Sequence, residues 1–575
     1  MLRPFVYPIL RLRPNRWDLL ALPLVAGFIF FLAWASEQAK VPYVAGVPLA
    51  ISLDPSVLPG YALRTVLRMA AALFMSIVFT LTYATLAAKS KRAERLLIPV
   101  LDVLQSVPIL GFLSITVTGF MALFPGHALG LELAATFAIF TSQAWNMAFS
   151  FYQSLCTLPK DLRETAAVFH LSPWQKFWKL ELPYAMPGLI WNAMMSVSGG
   201  WFFLVASEAI TVSGHTIMLP GIGSYIALAI AQKNLHAISY AIVTMFVVIL
   251  IYDQLLFRPL LAWADKFKFE QTEGKDAPRS WVLTLTQRTR LLRRLLMVPA
   301  LAWEMSLGWF PARVNKYRLH LTLPAFLHQW QDKLWNGAIA LGTGVALISI
   351  VRLVHAQVGW GEVAYVFGLG LITAARVIIL TLLASLVWVP VGVWIGLHPR
   401  WAERIQPLAQ FLAAFPANLL FPLAVVFIVR YHLNVEIWTS PLMILGTQWY
   451  ILFNVIAGAA AVPTELKEAA RSFRLRGRLW WRNLILPSIF PAYVTGAITA
   501  SGGAWNASIV AEVVSWGHTT LTATGLGAYI TEWTGRGDLP RIALGISVMS
   551  IYVVAFNRLL WRRLYTLAQQ RLHLE

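Results

Sequence analysis

Long runs without charge are the feature that most limits what this chain can fold into. Four of them are Ala21–Ala35, Ile238–Tyr252, Val377–Leu397 and Ile542–Phe556. A bilayer core requires roughly 20 mostly apolar residues per helix, and several of these runs reach that length when their weakly polar flanks are included. Only 13% of the residues are charged, whereas about a quarter are charged in soluble proteins. The pattern therefore predicts an all-α integral membrane protein, because a β-barrel would show short alternating segments instead.

About twelve membrane helices are predicted, six in each half of the chain. Those of the first half are 19–36, 61–88, 99–122, 131–153, 186–207 and 236–257, and the first is expected to be retained as a membrane helix rather than cleaved. Those of the second half are 335–356, 369–397, 406–429, 439–461, 490–511 and 541–560. Lys and Arg are concentrated in alternate connections and absent from 123–130 and 431–438. The positive-inside rule then predicts that both termini are cytoplasmic, and it explains the net charge of +20 without nucleic-acid binding.

An internal repeat relates the two halves. With a constant offset of 304 positions, Pro159 pairs with Pro463 and Glu164 with Glu468, and the register continues without a gap to Glu208 and Glu512. Further upstream, after small shifts, Arg68 matches Arg376 and Pro108 matches Pro416. We interpret the chain as a tandem duplication with a first half at 1–258, a linker at 259–334 and a second half at 335–575. An even number of helices per half makes the two halves parallel in the membrane.

The linker is basic, with 12 Lys and Arg against 6 Asp and Glu over 259–333, which fits the cytoplasmic side. Its stretch 288–303 alternates Arg clusters with apolar residues. Two interpretations stay open: an amphipathic helix on the inner leaflet, or an ordinary basic linker.

Each half contains one polar loop, at 158–183 and at 462–487. Pro159 and Pro463 suit a helix start, and the acidic residues that follow complement the helix dipole. Leu162 with Phe169, and Leu466 with Phe473, are predicted to form an apolar stripe on each helix. Such a helix could dock into a groove on a partner, or it could pack only on its own domain.

The two loops resemble the EAA loop of ABC importer permeases. They read "ETAAVFH" and "EAARSFR", so that Thr165 replaces an alanine of the family pattern and His170 and Arg474 replace its glycine. The turn after each helix is therefore expected to differ from the family geometry. The stretches "LRTVLRMAAALFMSIVF", "RAERLLIPVLDVLQSVPILGF", "AWNASIVAEVV" and "GLGAYI" are similar to permeases of the nitrate, sulfonate, taurine and bicarbonate group. Those are normally single-half subunits that dimerise, whereas here both halves lie in one chain.

The resemblance implies a permease of the bacterial inner membrane that imports a small anionic solute delivered by a periplasmic binding protein. It also implies that two copies of a cytoplasmic ATPase, or two different ATPases, dock on the two loops. ATP and Mg would be bound by those partners, since the chain has no G-x-x-x-x-G-K-[ST] motif, and no cofactor or metal is expected on the chain itself. The coupling residues that the resemblance implies are Leu162, Glu164, Ala166, Ala167, Phe169, His170, Leu171, Leu466, Glu468, Ala469, Ala470, Phe473, Arg474 and Leu475.

Candidate residues of the transport pathway come in matched pairs: Arg68 and Arg376, Pro108 and Pro416, Trp201 and Trp505, and Glu208 and Glu512. The carboxylates could form an outer gate or contact the binding protein, or lie at the membrane interface. The tryptophans are expected to be packing or interface residues, with pathway lining as the alternative. The arginines are expected to snorkel, with attraction of an anionic solute as the alternative. The prolines are expected to kink or break helices beside the pathway.

Two other functional classes remain possible at this point. A secondary transporter driven by an ion gradient would have the same two parallel halves, but it would not need two matching cytoplasmic loops. A membrane-embedded enzyme or scaffold would account for the helices but not for the register of the loops. No His or Cys spacing typical of metal sites and no nucleophile triad stands out, so an enzyme acting alone is not expected.

Overall fold

A computed structural model describes residues 50–212, 215–267, 280–289 and 358–561, with single residues or short groups at 17–27, 303–305, 333–352 and 563–566. Between Pro55 and Leu397 its α-helices are α1 (Leu58–Lys89), α2 (Lys91–Ser106), α3 (Ile109–Leu123), α4 (Leu129–Cys156), α5 (Lys160–Val168), α6 (Pro173–Lys176), α7 (Leu182–Glu208), α8 (Ile222–Ala231), α9 (Leu235–Tyr252), α10 (Arg258–Ala264), α11 (Trp281–Arg288) and α12 (Trp360–Leu397). The remaining α-helices are α13 (Pro399–Ala414), α14 (Phe421–Arg430), α15 (Val435–Trp438), α16 (Leu442–Leu445), α17 (Trp449–Ala460), α18 (Thr464–Ser472), α19 (Gly477–Trp480), α20 (Leu486–Ala511), α21 (Leu526–Arg536) and α22 (Leu539–Phe556).

The repeat found in the sequence is also visible in the irregular elements. Two short antiparallel hairpins follow α7 and α20, formed by β1 (Ala209–Val212) with β2 (His215–Met218) and by β3 (Val513–Trp516) with β4 (Thr519–Thr522). Single π-helical turns occur at Phe177–Glu181 and Trp481–Ile485, and again at Asp253–Phe257 and Asn557–Trp561. Members of each pair are 304 positions apart, so the duplication extends to local departures from regular helix.

Six helical segments are long and apolar enough to span a membrane: Pro55–Lys89, Pro173–Glu208, Leu235–Ala264, Trp360–Leu397, Gly477–Ala511 and Leu539–Trp561. Three bent helix pairs would bring the number of spans in the described part of the chain to nine. The predicted helix 131–153 is present as α4. The predicted helices 19–36 and 335–356 lie mostly outside the described residues. The all-helical membrane architecture is therefore confirmed, and the number twelve stays a prediction.

The helices predicted at 99–122 and 406–429 are each broken, at the two prolines expected to kink or break them, Pro108 and Pro416. The first is divided at Val107–Pro108 into α2 and α3, which meet at 91°, and the second is divided at Phe415–Pro416, with a bend of 76°. Both residues before proline are extended, with ψ of 128° and 124°, because proline disfavours a helical residue in front of it. The predicted helix 439–461 is also divided, into α16 and α17, with a bend of 47°.

Chain contacts define two compact units that differ from the predicted halves. One comprises Met1–Val41, Ser150–Trp191 and Ile251–Pro324 and contains α5 and α11. The other comprises Pro42–Phe149, Asn192–Leu250 and Ala325–Glu575 and contains both hairpins, α18 and a large apolar core. Small residues allow close helix packing in this core, as in membrane bundles generally: a Cβ on Gly396 of α12 would lie 2.6 Å from the carbonyl oxygen of Ile456 in α17. The boundaries at 258 and 335 stay a prediction.

Candidate functional site

The two polar loops contain nearly identical short helices, α5 and α18, which we call the first and second loop helix. Each begins after a proline in extended conformation, Pro159 with φ −55° and ψ 144° and Pro463 with φ −56° and ψ 144°. Asp161 and Glu465 lie in the first turn, where a carboxylate interacts favourably with the unpaired N–H groups and the helix dipole. The local sequence thus accounts for the start of both helices.

Both loop helices end in the same six-residue hydrogen-bonded turn, which is a Schellman motif. The N–H of Leu171 donates to the carbonyl of Ala166 at 3.1 Å, and that of Leu475 to Ala470 at 2.9 Å. The residues at the left-handed position are His170, with φ 49°, and Arg474, with φ 52°. Both residues adopt the conformation for which glycine is usually selected, and a difference from the family geometry stays a prediction.

A phenylalanine at the end of each loop helix is almost fully accessible. The exposed fraction is 72% for Phe169 and 80% for Phe473, whereas Ala166 and Ala470 are buried. The predicted stripe joining Leu162 to Phe169, and Leu466 to Phe473, is wrong, because the helices end one residue before each phenylalanine and the leucines are half-buried. What each loop presents to solvent is its capping turn. Of the remaining predicted coupling residues, Leu171 and Leu475 are half-buried, and the others are exposed, namely Glu164, Ala167, His170, Glu468, Ala469 and Arg474.

The surroundings of the two turns differ in charge. At the 304-residue offset, Ala167, His170, Ser172 and Trp174 in the first loop correspond to Arg471, Arg474, Arg476 and Arg478 in the second. Ser172 forms a capping box with Gln175, whereas Arg476 makes no side-chain cap at the equivalent position and Gly477 has φ 53°. Two similar backbone folds therefore carry different surfaces, one mostly apolar and one cationic.

In the larger unit, a buried ion cluster joins α1, α4, the last residue of α7 and the segment after β2. Arg68 is only 4% exposed, and its guanidinium contacts the carboxylates of Glu132 and Glu208, each at 2.6 Å. Thr65 donates to the same Glu208 carboxylate at 2.7 Å, and the N–H of Gly223 does so at 2.6 Å. The guanidinium also donates to the carbonyl of Pro220. The cluster ties the hairpin segment to two helices.

The second half repeats this cluster with equivalent residues. Arg376 pairs with Glu436 and, at 3.3 Å, with Glu512, and it donates to the carbonyl of Thr524 at 2.7 Å. Thr373 donates to Glu512 at 2.9 Å. A Cβ on Gly525 would overlap the Glu512 carboxylate, as one on Gly221 would overlap that of Glu208. Glycine is required at both positions by lack of space.

These contacts correct the interpretation of the charged pathway candidates. Arg68 and Arg376 do not snorkel, because each guanidinium is held between two carboxylates. Glu208 is 0% exposed and Glu512 is buried, so neither is available on the surface to contact a binding protein. Ion pairing together with hydrogen bonding makes buried charges tolerable. The clusters therefore have the character of structural ties rather than of a solute site.

Trp201 and Trp505 are packing residues. Both are buried, and the ring of Trp505 stacks on that of Tyr552 with centroids 6.3 Å apart. Neither contributes to the central cavity described below.

The breaks at Pro108 and Pro416 are each tied to the long helix of the other half. The N–H of Ile109 donates to the side-chain oxygen of Asn506 in α20 at 2.8 Å. The side chain of Asn418 donates to the carbonyl of Phe202 in α7 at 3.2 Å. Positions 202 and 506 are repeat equivalents, so both cross-ties use the same place in the fold.

A cavity of about 170 Å³ lies beside these breaks and is lined from both halves. Its hydrogen-bonding side chains are uncharged amides, hydroxyls and one indole, namely Gln105, Thr141, Ser142, Trp145, Asn146, Ser196, Ser198, Thr447, Tyr450, Thr499, Asn506 and Asn557. Among the described residues, the hydroxyls of Ser196 and Thr447 have no hydrogen-bond partner. The cavity can therefore offer several neutral donors and acceptors to a small polar molecule.

Sequence reasoning missed several members of these sites. Glu132 and Glu436 are 304 positions apart, and Thr65 and Thr373 have the same offset of 308 as the two arginines. The repeat register was therefore the signal that could have found them. Asn506 and Ser196 had no such signal, because their equivalents Phe202 and Ala500 are apolar.

Comparisons with known proteins agree with the duplicated architecture. The model of the family described as binding-protein-dependent transport system inner membrane component matches this chain twice, at residues 76–258 and 388–573. The bicarbonate transport system permease protein CmpB of Synechococcus elongatus is 27% identical over 180 residues, which are 31% of this chain and 60% of that protein. The nitrate import permease protein NrtB of the same organism is 27% identical over 200 residues, 33% of this chain and 67% of NrtB.

A third relative is the glycine betaine/proline betaine transport system permease protein ProW of Escherichia coli, 25% identical over 220 residues, 38% of this chain and 57% of ProW. The chain thus spans about three fifths of CmpB and ProW and two thirds of NrtB.

Proposed function

Because the chain belongs to the family of binding-protein-dependent transport system inner membrane components, as a multi-pass membrane protein with two fused permease repeats, we propose that it forms the whole solute pathway of one ATP-driven importer. In this proposal each loop helix docks on an ATP-hydrolysing subunit, and both loops and both termini are cytoplasmic. A periplasmic binding protein delivers the solute to the opposite side.

The observation that carries the proposal is the shared construction of the two loop helices. Both end in a Schellman turn that leaves Phe169 or Phe473 exposed. An accessible aromatic side chain at the tip of a rigid turn is suited to insertion into a pocket on a partner. Movement of the two docked partners during ATP hydrolysis would then be transmitted to α7 and α20, which follow the loops in sequence.

We propose that the central cavity is part of the solute pathway. The names of three relatives refer to bicarbonate, nitrate and betaines, which are small anions or zwitterions. The described cavity lining offers neutral hydrogen-bonding groups, while Arg68 and Arg376 are already paired with carboxylates. A small anionic solute would accordingly be held by hydroxyl and amide donors, which suits passage better than a strong ion pair.

Transport driven by an ion gradient is disfavoured. It would require a carboxylate free to gain and lose a proton or cation. The four carboxylates of the two clusters, Glu132, Glu208, Glu436 and Glu512, are unsuited to this role because each lies in an ion pair. That alternative also gives no reason for two matching loop helices.

Co-purification tests the proposal. The chain is expressed with the ATPase subunits encoded nearest to its gene, and the stoichiometry is determined by mass in detergent. We expect two ATPase subunits on the wild-type chain, one on Phe169→Asp or Phe473→Asp, and none on the double variant. Leu539→Asp, another exposed apolar position, is the matched control and should keep both. Unchanged ATPase binding in the double variant, with the chain still folded, would refute docking through the loop helices.

A further inference from the structure

An apolar groove on the second half has a cation at one end. Its volume is about 790 Å³, and it lies between α12 and the segment formed by the π turn Trp481–Ile485 and α20. The lining side chains are Leu382, Ser385, Leu386, Val389, Pro390, Trp481, Arg482, Leu486, Pro487, Ile489, Phe490 and Tyr493. Because α12 and α20 belong to membrane-spanning segments, the medium that faces this groove is lipid.

The polar groups of the groove are arranged unevenly. The hydroxyls of Ser385 and Tyr493 lie 3.1 Å apart and satisfy each other within the wall. Arg482 is exposed, and its guanidinium has no carboxylate partner within the described part of the chain. One helical turn earlier, Arg478 is also exposed. The groove is therefore apolar along its length and cationic at the end nearest the second loop.

The first half has no equivalent cation. The counterpart of Arg482 is Trp178, whose ring contacts those of Trp303 and Trp174 at centroid distances of 4.5 and 5.5 Å. Trp303 belongs to the linker, so part of this chain already covers the first-half position. Two described residues that precede α12 in sequence lie elsewhere and do not cover the groove of the second half. Trp335 donates to the carbonyl of Arg92, and Val351 lines a different cavity.

We propose that the groove binds one anionic phospholipid, with an acyl chain between α12 and α20 and the phosphate on Arg482 and Arg478. Guanidinium groups bind phosphate through charged hydrogen bonds, and basic pockets between membrane helices on the cytoplasmic side are suited to anionic headgroups. Assignment of this end to the inner leaflet rests on the proposed function, which places the loops in the cytoplasm. The lipid would brace the π turn that joins the second loop helix to α20.

Lipid retention by the purified chain tests the proposal without any ATPase. Native mass spectrometry is carried out after titration with phosphatidylglycerol or phosphatidylcholine of identical acyl chains. We expect the first phosphatidylglycerol to be retained about five-fold more strongly, the effect of roughly one basic residue near a headgroup. Arg482→Gln should remove this preference, and Leu386→Trp, which fills the groove, should reduce retention of both lipids. Arg476→Gln, an exposed arginine outside the groove, should change nothing.

Photolabelling of the wild-type chain covers the case in which Leu386→Trp fails to fold. Phosphatidylglycerol with a diazirine on its acyl chain should label 382–390 and 486–493, and unlabelled phosphatidylglycerol should compete. Labelling spread evenly over lipid-facing helices such as α9 would mean annular lipid only and would overturn the proposal. The lipid proposal would also be overturned if Arg482→Gln weakened ATPase binding but left the preference for phosphatidylglycerol intact, because Arg482 would then belong to the interface with the ATPase. Failure of the wild-type chain to bind any ATPase, with its lipid preference intact, would contradict the proposed function and not the lipid site.

Discussion

The guanidinium of Arg68 lies 2.6 Å from the carboxylate of Glu208, and both side chains are almost completely removed from solvent. Removing one member of a buried ion pair leaves the other without compensation, which typically destabilises a protein by about 3–5 kcal/mol. We therefore expect Glu208→Ala to lower the thermal midpoint of the purified chain strongly. The measurement is a thermal melt in detergent.

The exposed ion pair of Arg536 and Glu532 provides the control. Glu532→Ala should change stability by less than about 1 kcal/mol, because exposed pairs contribute little. Equal effects of Glu208→Ala and Glu532→Ala would contradict a structural role for the buried cluster.

The requirement for glycine at position 221 can be tested by adding a single methyl group. A Cβ there would overlap the Glu208 carboxylate, and one on Gly60 would meet nothing within 4 Å. Gly221→Ala should therefore destabilise the chain by about 1–3 kcal/mol, whereas Gly60→Ala, within α1, should be neutral or stabilising because alanine favours helix. Thermal melts of the two variants measure this difference in stability. An unchanged thermal midpoint for Gly221→Ala would show that the Glu208 carboxylate can move away from the added methyl group.

The left-handed residues of the loop helices predict a gain in stability. His170 and Arg474 have positive φ, a conformation that is unfavourable by roughly 1–2 kcal/mol for most side chains. His170→Gly and Arg474→Gly should each stabilise the local turn, as judged by slower amide hydrogen exchange of Leu171 and Leu475. His170→Val should speed that exchange, and no difference between the valine and glycine variants would exclude strain at this position.

Different surfaces around the two exposed phenylalanines predict different salt responses. With Phe169→Asp only the second loop remains to bind an ATPase, and with Phe473→Asp only the first remains. Exposed charges at an interface are screened at physiological salt, so affinity through the arginine-rich second loop should fall about ten-fold between low and high salt. Affinity through the first loop should change little. Titration of each variant with the ATPase measures this, and parallel salt responses would show that the arginines lie outside the interface.

The tie between Ile109 and Asn506 predicts a loss of transport with docking intact. Asn506→Leu leaves a buried N–H without an acceptor, which destabilises the local structure by about 1–3 kcal/mol. Solute uptake by proteoliposomes should fall while both ATPase subunits remain bound. Asn506→Asp keeps an acceptor at a helix start, where negative charge is favourable, and should recover part of the uptake. Full uptake by Asn506→Leu would show that the helix break at Pro108 does not need this hydrogen bond for transport.

The sequence was sufficient to predict the membrane class, the fused repeat and both loop helices, because each depends on pattern along the chain. Pro159 and Pro463 indicate where the two loop helices begin, and the offset of 304 positions aligns one helix with the other. The repeat register marks Glu132 and Glu436 as a matched pair, but it does not indicate that they contact Arg68 and Arg376, since an ion pair depends on which helices become neighbours. Pro108 and Pro416 indicated breaks in the segments 99–122 and 406–429, but the bends of 91° and 76° were not predictable, because hydropathy indicates the length of a helix and not its direction.

The solvent exposure of side chains in the loop helices could not be predicted from the sequence pattern either. Phe169 and Leu162 are seven residues apart and match a helical stripe, but the helix ends at Val168 and the two side chains have different surroundings. A periodicity argument holds only where the helix continues. The two loop helices end where the N–H groups of Leu171 and Leu475 close the capping turns, and hydrophobic periodicity does not indicate the position of such a turn.

The hydrogen bond from Ile109 to Asn506 also sets an order of events during synthesis. The two residues are 397 positions apart, and ribosomes add about 5–20 residues per second. For roughly 20–80 seconds, a nascent first half therefore has its broken helix in the membrane before the asparagine that caps it exists. Chaperone contact or temporary hydration of that break is the expected requirement of biogenesis, and it would apply to one half only, since Phe202 is already made when Asn418 emerges.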